Sequence, residues 1–168
     1  WHISTTRFHN GQRSFFSTSS SSLCVTLETS AIALTPAQSP QLGFWSVWDM
    51  EANFDGGIIE ISTNGGASWT RLTPAGGYPS SITHTGNACA GLSNGTPAFS
   101  GTNLVWQQKS IDLSAYAGQT VKLAWRFGSD GGVNNEGWYV DDISLSHAQI
   151  PGICSSGAVY SNGFEGSP

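Results

Sequence analysis

Gly137-Trp138-Tyr139-Val140-Asp141-Asp142-Ile143-Ser144-Leu145 decides the fold class. The stretch is rich in aromatic and β-branched residues, which suit a pleated, half-buried surface, and it reads as a β-strand. Strand side chains alternate between faces, so the two adjacent carboxylates are expected on opposite sides of a sheet. One of them then points at the core, where an unpaired carboxylate is costly unless a cation or several donors meet it. Lys and Arg number only six in 168 residues, so protein cations are scarce. A metal ion is the natural partner, and oxygen ligands favour calcium.

Working outward, the opening strand is taken as Gly137–Ser146, and further strand-like runs fall at Arg13–Phe16, Leu23–Leu27, Gln41–Asp49, Gly57–Thr63, Ser68–Leu72, Leu104–Asp112, Thr120–Ser129 and Ala158–Tyr160. No stretch sustains a 3.6-residue apolar period. Turns are marked by Asp55-Gly56-Gly57, Asn64-Gly65-Gly66 and Asp130-Gly131-Gly132. The Asn64-Gly65 step predicts a type I′ hairpin, whose central residues both need positive φ. Many short strands with frequent turns specify an all-β sandwich of two antiparallel sheets. Residues 73–103, rich in Gly, Pro, Ser and Asn, read as a long decorated loop, and Ser17–Ser22 as a surface loop.

Composition narrows the function classes. A chain of 168 residues fits one domain with a core large enough to need no staples. Seven Trp, eight Phe and four Tyr supply that core, while charged residues make up 10%. Low charge with abundant polar, β-prone residues fits an extracellular β-protein. The net charge of −5 and the lack of a basic cluster exclude a nucleic-acid partner. No apolar run is long enough for a membrane-spanning helix. The chain opens at Trp1, which reads as a processed form or an excised domain. Three cysteines, Cys24, Cys89 and Cys154, predict one disulfide and one remaining thiol. Spacing leaves the pairing open; Cys89 with Cys154 is taken as the working pair.

The stretch "GWYVDDISL" resembles the last core strand of the MAM-like jelly rolls of secreted bacterial proteins, a group that includes cleaved-adhesin and choice-of-anchor modules. The resemblance continues through "FWSVWDMEANFDGGIIEISTNGGASWTRL" (Phe44 to Leu72) and "IDLSAYAGQTVKLAWRFGSD" (Ile111 to Asp130). It implies a jelly-roll β-sandwich over residues 1–150, in a module that serves as spacer, adhesin or accessory domain. Residues 151–168 then form a linker and a C-terminal strand. In that group a "GFE" strand opens the domain, whereas here Gly163-Phe164-Glu165 lies at the far end. The tail is therefore expected to complete its own sandwich or a neighbour's, with Val159, Tyr160 and Phe164 at the interface. Insertion into a neighbour builds a head-to-tail filament.

Glu51, Asp55, Asp141, Asp142 and Glu165 are the candidate calcium ligands, set against the plain reading that they are solvated turn carboxylates. The histidines His2, His9, His84 and His147 fall in loop-like or terminal contexts, and no G-x-S-x-G elbow accompanies them, so no catalysis is expected. Trp45 and Trp48 are placed on opposite faces of one strand; Trp69, Trp125 and Trp138 are read as core. These expectations describe a secreted, non-catalytic structural or adhesive module stabilised by calcium, associating with itself or with neighbouring domains. The alternative is a carbohydrate-binding or accessory module of a secreted hydrolase or peptidase.

Overall fold

Strands form where the alternating apolar runs fall, and the computed structural model, which describes residues 1–150, carries thirteen among those residues. They are β1 (His2–Ser4), β2 (Ser14–Thr18), β3 (Cys24–Glu28), β4 (Ile32–Leu34), β5 (Gln41–Asp49), β6 (Gly56–Ser62) and β7 (Thr70–Leu72). After these come β8 (Ser80–Ser81), β9 (Pro97–Ala98), β10 (Thr102–Asp112), β11 (Thr120–Gly128), β12 (Gly137–Leu145) and β13 (Ala148–Gln149). One sheet runs β1-β2-β12-β5-β10; the other runs β13-β4-β11-β6-β7, with β3 also on β11. All pairings are antiparallel. The result is the expected all-β sandwich.

Large side chains from both inner faces fill the space between the sheets, including Phe44, Trp48, Phe99, Trp125, Phe127 and Trp138. Trp138, at the head of β12, is fully buried, and its indole N–H donates to Ser46 Oγ at 2.7 Å. Its six-membered ring occupies the space where a Cβ on Gly57 would sit, 2.3 Å away. The facing strand must therefore carry glycine there. Burying an aromatic side chain of this size is worth about 3–5 kcal/mol against truncation.

At Asp141-Asp142 the structure departs from simple alternation. The register of β12 on β5 shifts between Asp141 and Ser144, and Asp142 takes a positive φ of 45°. Trp138 and Val140 face the core before this bulge, and Ile143 and Leu145 face it after. One extra residue resets the parity. Both carboxylates consequently reach the same residue, His9, on the outer face, and the expectation of opposite faces is corrected.

Other corrections follow from local packing. Positive φ occurs at Gly65 (74°) and Gly66 (101°) but not at Asn64, so a two-residue type I′ turn does not form. Instead the Asn64 side chain accepts the Ser68 N–H and organises a wider connection from β6 to β7. Trp69 precedes β7 and is half-buried, outside the main cluster. Residues 73–103, expected to be loop, hold the β8–β9 hairpin, and their Ile82, Cys89, Leu92 and Ala98 form a second buried group with Ile58 of β6. The working disulfide Cys89–Cys154 is overturned, because Cys24 bonds to Cys89. Asn87 explains the pairing: its amide donates to the carbonyls of Phe54 and Gly128, which brings Cys89 to the end of β11 where Cys24 lies opposite Gly128. Cys154, Glu165, the interface residues Val159, Tyr160 and Phe164, and the strand Ala158–Tyr160 lie outside the described residues.

Candidate metal centre

Three loops meet at one end of the sandwich. Residues 50–55 join β5 to β6, residues 129–136 join β11 to β12, and residues 19–23 join β2 to β3. The strand register forces the meeting, because Gly137 pairs with both Thr18 and Asp49, while Gly128 pairs with both Cys24 and Gly56. Carboxylate oxygens of Glu51, Asp55 and Asp130 all lie within 4.8 Å of one another.

Local backbone structure aims each acid inward. The Asp55 N–H donates to the Glu51 carbonyl at 3.0 Å, closing a turn in which Asn53 adopts a φ of 70°. Glu51 Oε2 accepts the Val133 N–H at 2.9 Å, and Asp130 Oδ1 accepts the Gly132 N–H at 2.6 Å. A Cβ on Gly132 would stand 2.9 Å from both Asp130 Oδ1 and Glu51 Oε2, so glycine at that position leaves these acids room to approach. Asp55 is 1% exposed; Ser19 donates to its Oδ2 at 2.6 Å and the Asp130 N–H to its Oδ1 at 3.1 Å.

The electrostatics are one-sided. Among the described residues no Lys, Arg or His pairs with these three acids; the ion pairs are Arg7–Glu136, His9–Asp142, Lys122–Glu28 and Arg126–Glu60. Burial pushes the Asp55 carboxyl above its ordinary value, and the charges of Asp130 and Glu51 push the same way against the hydrogen bonds from Ser19 and Asp130. A divalent cation reverses that balance. The donors are all hard oxygens on loops, with no sulfur or imidazole among the three, which suits calcium and not zinc.

Of the sequence candidates, the structure therefore brings Glu51 and Asp55 together and adds Asp130, which the sequence reading treated only as a turn former. The Asp-Gly-Gly pattern shared by residues 55–57 and 130–132 is the signal that links them. Asp141 and Asp142 stand elsewhere. Asp141 pairs across to Trp45, four residues along β12 from the Gly137–Asp49 end, roughly 13 Å at strand rise. Its Oδ2 accepts the His9 N–H at 2.7 Å and the Asn10 N–H at 3.3 Å, and its Oδ1 accepts the Asp142 N–H at 2.8 Å. Asp142 contacts His9 Nδ1 at 2.7 Å, and the His9 ring stacks on Trp45 with centroids 3.7 Å apart. Trp48, Trp125 and Trp138 are core, whereas Trp45 is half-buried beneath His9.

Relatives place this architecture. A family model described as "Immune inhibitor A-like, MAM domain" matches residues 2–150. Immune inhibitor A of Bacillus thuringiensis subsp. alesti is 30% identical over 166 residues, 99% of this chain and 21% of that protein. Bacillopeptidase F of Bacillus subtilis (strain 168) is 28% identical over 120 residues, 68% of the chain and 7% of that protein. The pre-pro-metalloprotease PrtV of Vibrio cholerae serotype O1 (strain M66-2) is 53% identical over 49 residues, 29% of the chain and 5% of that protein. The chain thus spans about a fifth or less of the length of each of these relatives.

Proposed function

The chain belongs to the immune inhibitor A-like MAM domain family, and on that premise we propose that it is a non-catalytic accessory module of a secreted bacterial peptidase, held in shape by calcium. The observation that carries the proposal is that nearly the whole chain matches 21% of immune inhibitor A, while parts of it match smaller portions of two longer proteins whose names are those of a peptidase and a metalloprotease. Sequence reasoning put a structural or adhesive role first and an accessory role second; these relatives reverse that order. Head-to-tail polymerisation through Val159, Tyr160 and Phe164 gains no support from them. The module's contribution is to hold its parent or bring the parent to a protein substrate.

In this reading Glu51, Asp55 and Asp130 hold the ion, with main-chain carbonyls and water completing the six to eight oxygens that calcium takes. Calcium joins the loops after β2, β5 and β11, and so fixes one end of the sandwich. A site that closes on calcium alone offers no open position for a reacting group, in keeping with a structural role.

Two measurements test the proposal. The purified chain is incubated with casein, and no cleavage is expected. The region of bacillopeptidase F that matches this chain is then deleted, and turnover of casein or accumulation of the secreted protein is expected to fall at least several-fold, with hydrolysis of a short peptide retained. Cleavage by this chain alone, or a deletion that changes neither quantity, overturns the accessory role.

A further inference from the structure

An asparagine side chain is open to attack by the main-chain nitrogen of the residue that follows it. Glycine in that following position leaves the nitrogen unhindered, because it has no Cβ to crowd the approach. Three such Asn-Gly steps lie among the described residues: Asn10-Gly11, Asn64-Gly65 and Asn94-Gly95. All three asparagines are exposed, so access to water does not separate them. Their hydrogen bonds do.

Asn64 has its electrophile tied. Its Oδ1 accepts from Ser62 Oγ at 2.8 Å and from the Ser68 N–H at 2.9 Å, and its Nδ2 donates to Ser68 Oγ at 2.8 Å. The amide must give up these bonds before it can turn onto Gly65. Asn94 has its nucleophile tied instead. The Gly95 N–H donates to the Ile82 carbonyl at 2.8 Å, just beyond β8, and attack by that nitrogen breaks the bond.

Asn10 differs from both. The Gly11 N–H donates to Asn10 Oδ1 at 2.9 Å, so the nucleophile already rests on the amide it would attack. No other hydrogen bond holds the Asn10 side chain among the described residues. Gly11 takes a φ of 67°, a conformation that favours glycine, so the turn itself keeps an unhindered residue at this point. Groups held in contact react far faster than groups that must first find each other.

We propose that Asn10 is a site of spontaneous covalent modification, converting in the folded domain to aspartate and isoaspartate through a succinimide. The Gly11 nitrogen forms a bond to Asn10 Cγ and loses its proton. The Cγ–Nδ2 bond breaks, and the side-chain nitrogen leaves as ammonia. Water, the sole co-reactant, then opens the ring. Cleavage between Cγ and the Gly11 nitrogen gives aspartate; cleavage between the main-chain carbonyl carbon and that nitrogen gives isoaspartate.

Either product places a new carboxylate beside the bulge in β12. The Asn10 N–H donates to Asp141 Oδ2 at 3.3 Å, and His9 contacts both Asp141 and Asp142. A further like charge opposes these contacts, and isoaspartate also lengthens the main chain at the turn. Modification therefore loosens the hold of His9 and Asn10 on the bulge.

The test is to age the folded chain in mildly alkaline buffer beside a sample unfolded in urea with its disulfide reduced. Trypsin cuts after Arg7 and Arg13 and isolates residues 8–13, in which Asn10 is the sole asparagine. Mass spectrometry of the peptides is expected to show Asn10 converting at least several-fold faster than Asn64 or Asn94 in the folded sample, with that ranking lost in urea. Aged folded protein should also exchange the His9 amide several-fold faster than fresh protein, whereas Asn10→Gln, aged alike, should not change. Conversion of Asn10 no faster than that of Asn64 or Asn94 in the folded chain overturns the proposal, and so does the same ranking in urea. Unchanged exchange at His9 in converted protein, or an equal change in aged Asn10→Gln, overturns the loosening.

Discussion

The two groups of acids in this domain carry like charge and meet opposite surroundings. Asp141 and Asp142 lie on a bulged strand and are met from within the protein, by three main-chain N–H groups and the His9 ring. Glu51, Asp55 and Asp130 lie on three loops and are met by neutral donors, with no basic side chain paired to them among the described residues. The difference teaches where an ion would have work to do. A strand defect brings main-chain donors to a carboxylate, whereas converging loop acids leave repulsion that an external cation would relieve.

The largest expected effect sharpens the comparison by standing apart from it. Trp138→Ala should cost about 3–5 kcal/mol in urea unfolding, equally with calcium and with EDTA, because its packing against Gly57 and Ser46 involves neither acid group. A penalty that vanishes in EDTA would tie the core to the metal site.

Next comes the ion. A ligand present at a hundredfold over its Kd stabilises the folded state by about 2.7 kcal/mol. For a chain of this size that is roughly 5–10 °C in Tm, so EDTA should lower the melting temperature by that much and calcium should restore it better than magnesium. Asp55→Asn should abolish the response and Asp142→Asn should keep it. The pH dependence carries its own sign. With the metal chelated, the folded-state value of Asp55 is raised above the ordinary 3.8, so its contribution is present below that value and lost as pH rises through the folded one. Calcium should remove this loss. Melting curves in EDTA and in calcium between pH 3.5 and 7, values chosen at roughly the carboxylate range and neutrality, check it.

A smaller effect is expected at Asp141. Truncation to Ala removes a buried carboxylate that accepts the His9, Asn10 and Asp142 N–H groups, at about 1–3 kcal/mol whether or not calcium is present. A calcium-dependent penalty there would merge the two groups. Smallest is Asp142→Asn, which alters a half-exposed contact with His9 and should change stability by less than about 1 kcal/mol.

Most of the architecture was legible because it follows from local pattern. β5 was predicted at its observed bounds, and β11 and β12 to within a residue, since each alternates large apolar residues with polar ones. β4 and β13 were missed because two or three residues carry no period of their own; they exist by pairing with each other and with β11. The group around Ile82 and Leu92 was missed because its apolar residues are scattered among turn formers and gathered by tertiary contacts. At the site, Glu51 and Asp55 were legible from their acidic turn. Asp130 was not, because its partners lie some 75 positions away, as the Asp130–Asp55 hydrogen bond shows. Asp141 and Asp142 misled for a physical reason: alternation holds only while the ladder is regular, and a single bulge cancels it.

The bond between Cys24 and Cys89 spans 65 positions and anchors a long Gly- and Ser-rich excursion to the sandwich. For a module proposed to work beside peptidases, this makes the outcome of a nick depend on its side. A cut between residues 25 and 88 leaves one cysteine in each fragment, so the pieces stay covalently joined and migrate together until reduced. A cut between residues 90 and 103 leaves both cysteines in the amino-terminal piece, and only the strand pairing holds the two halves. Such a domain survives wear on the first half of its longest excursion and is vulnerable on the second.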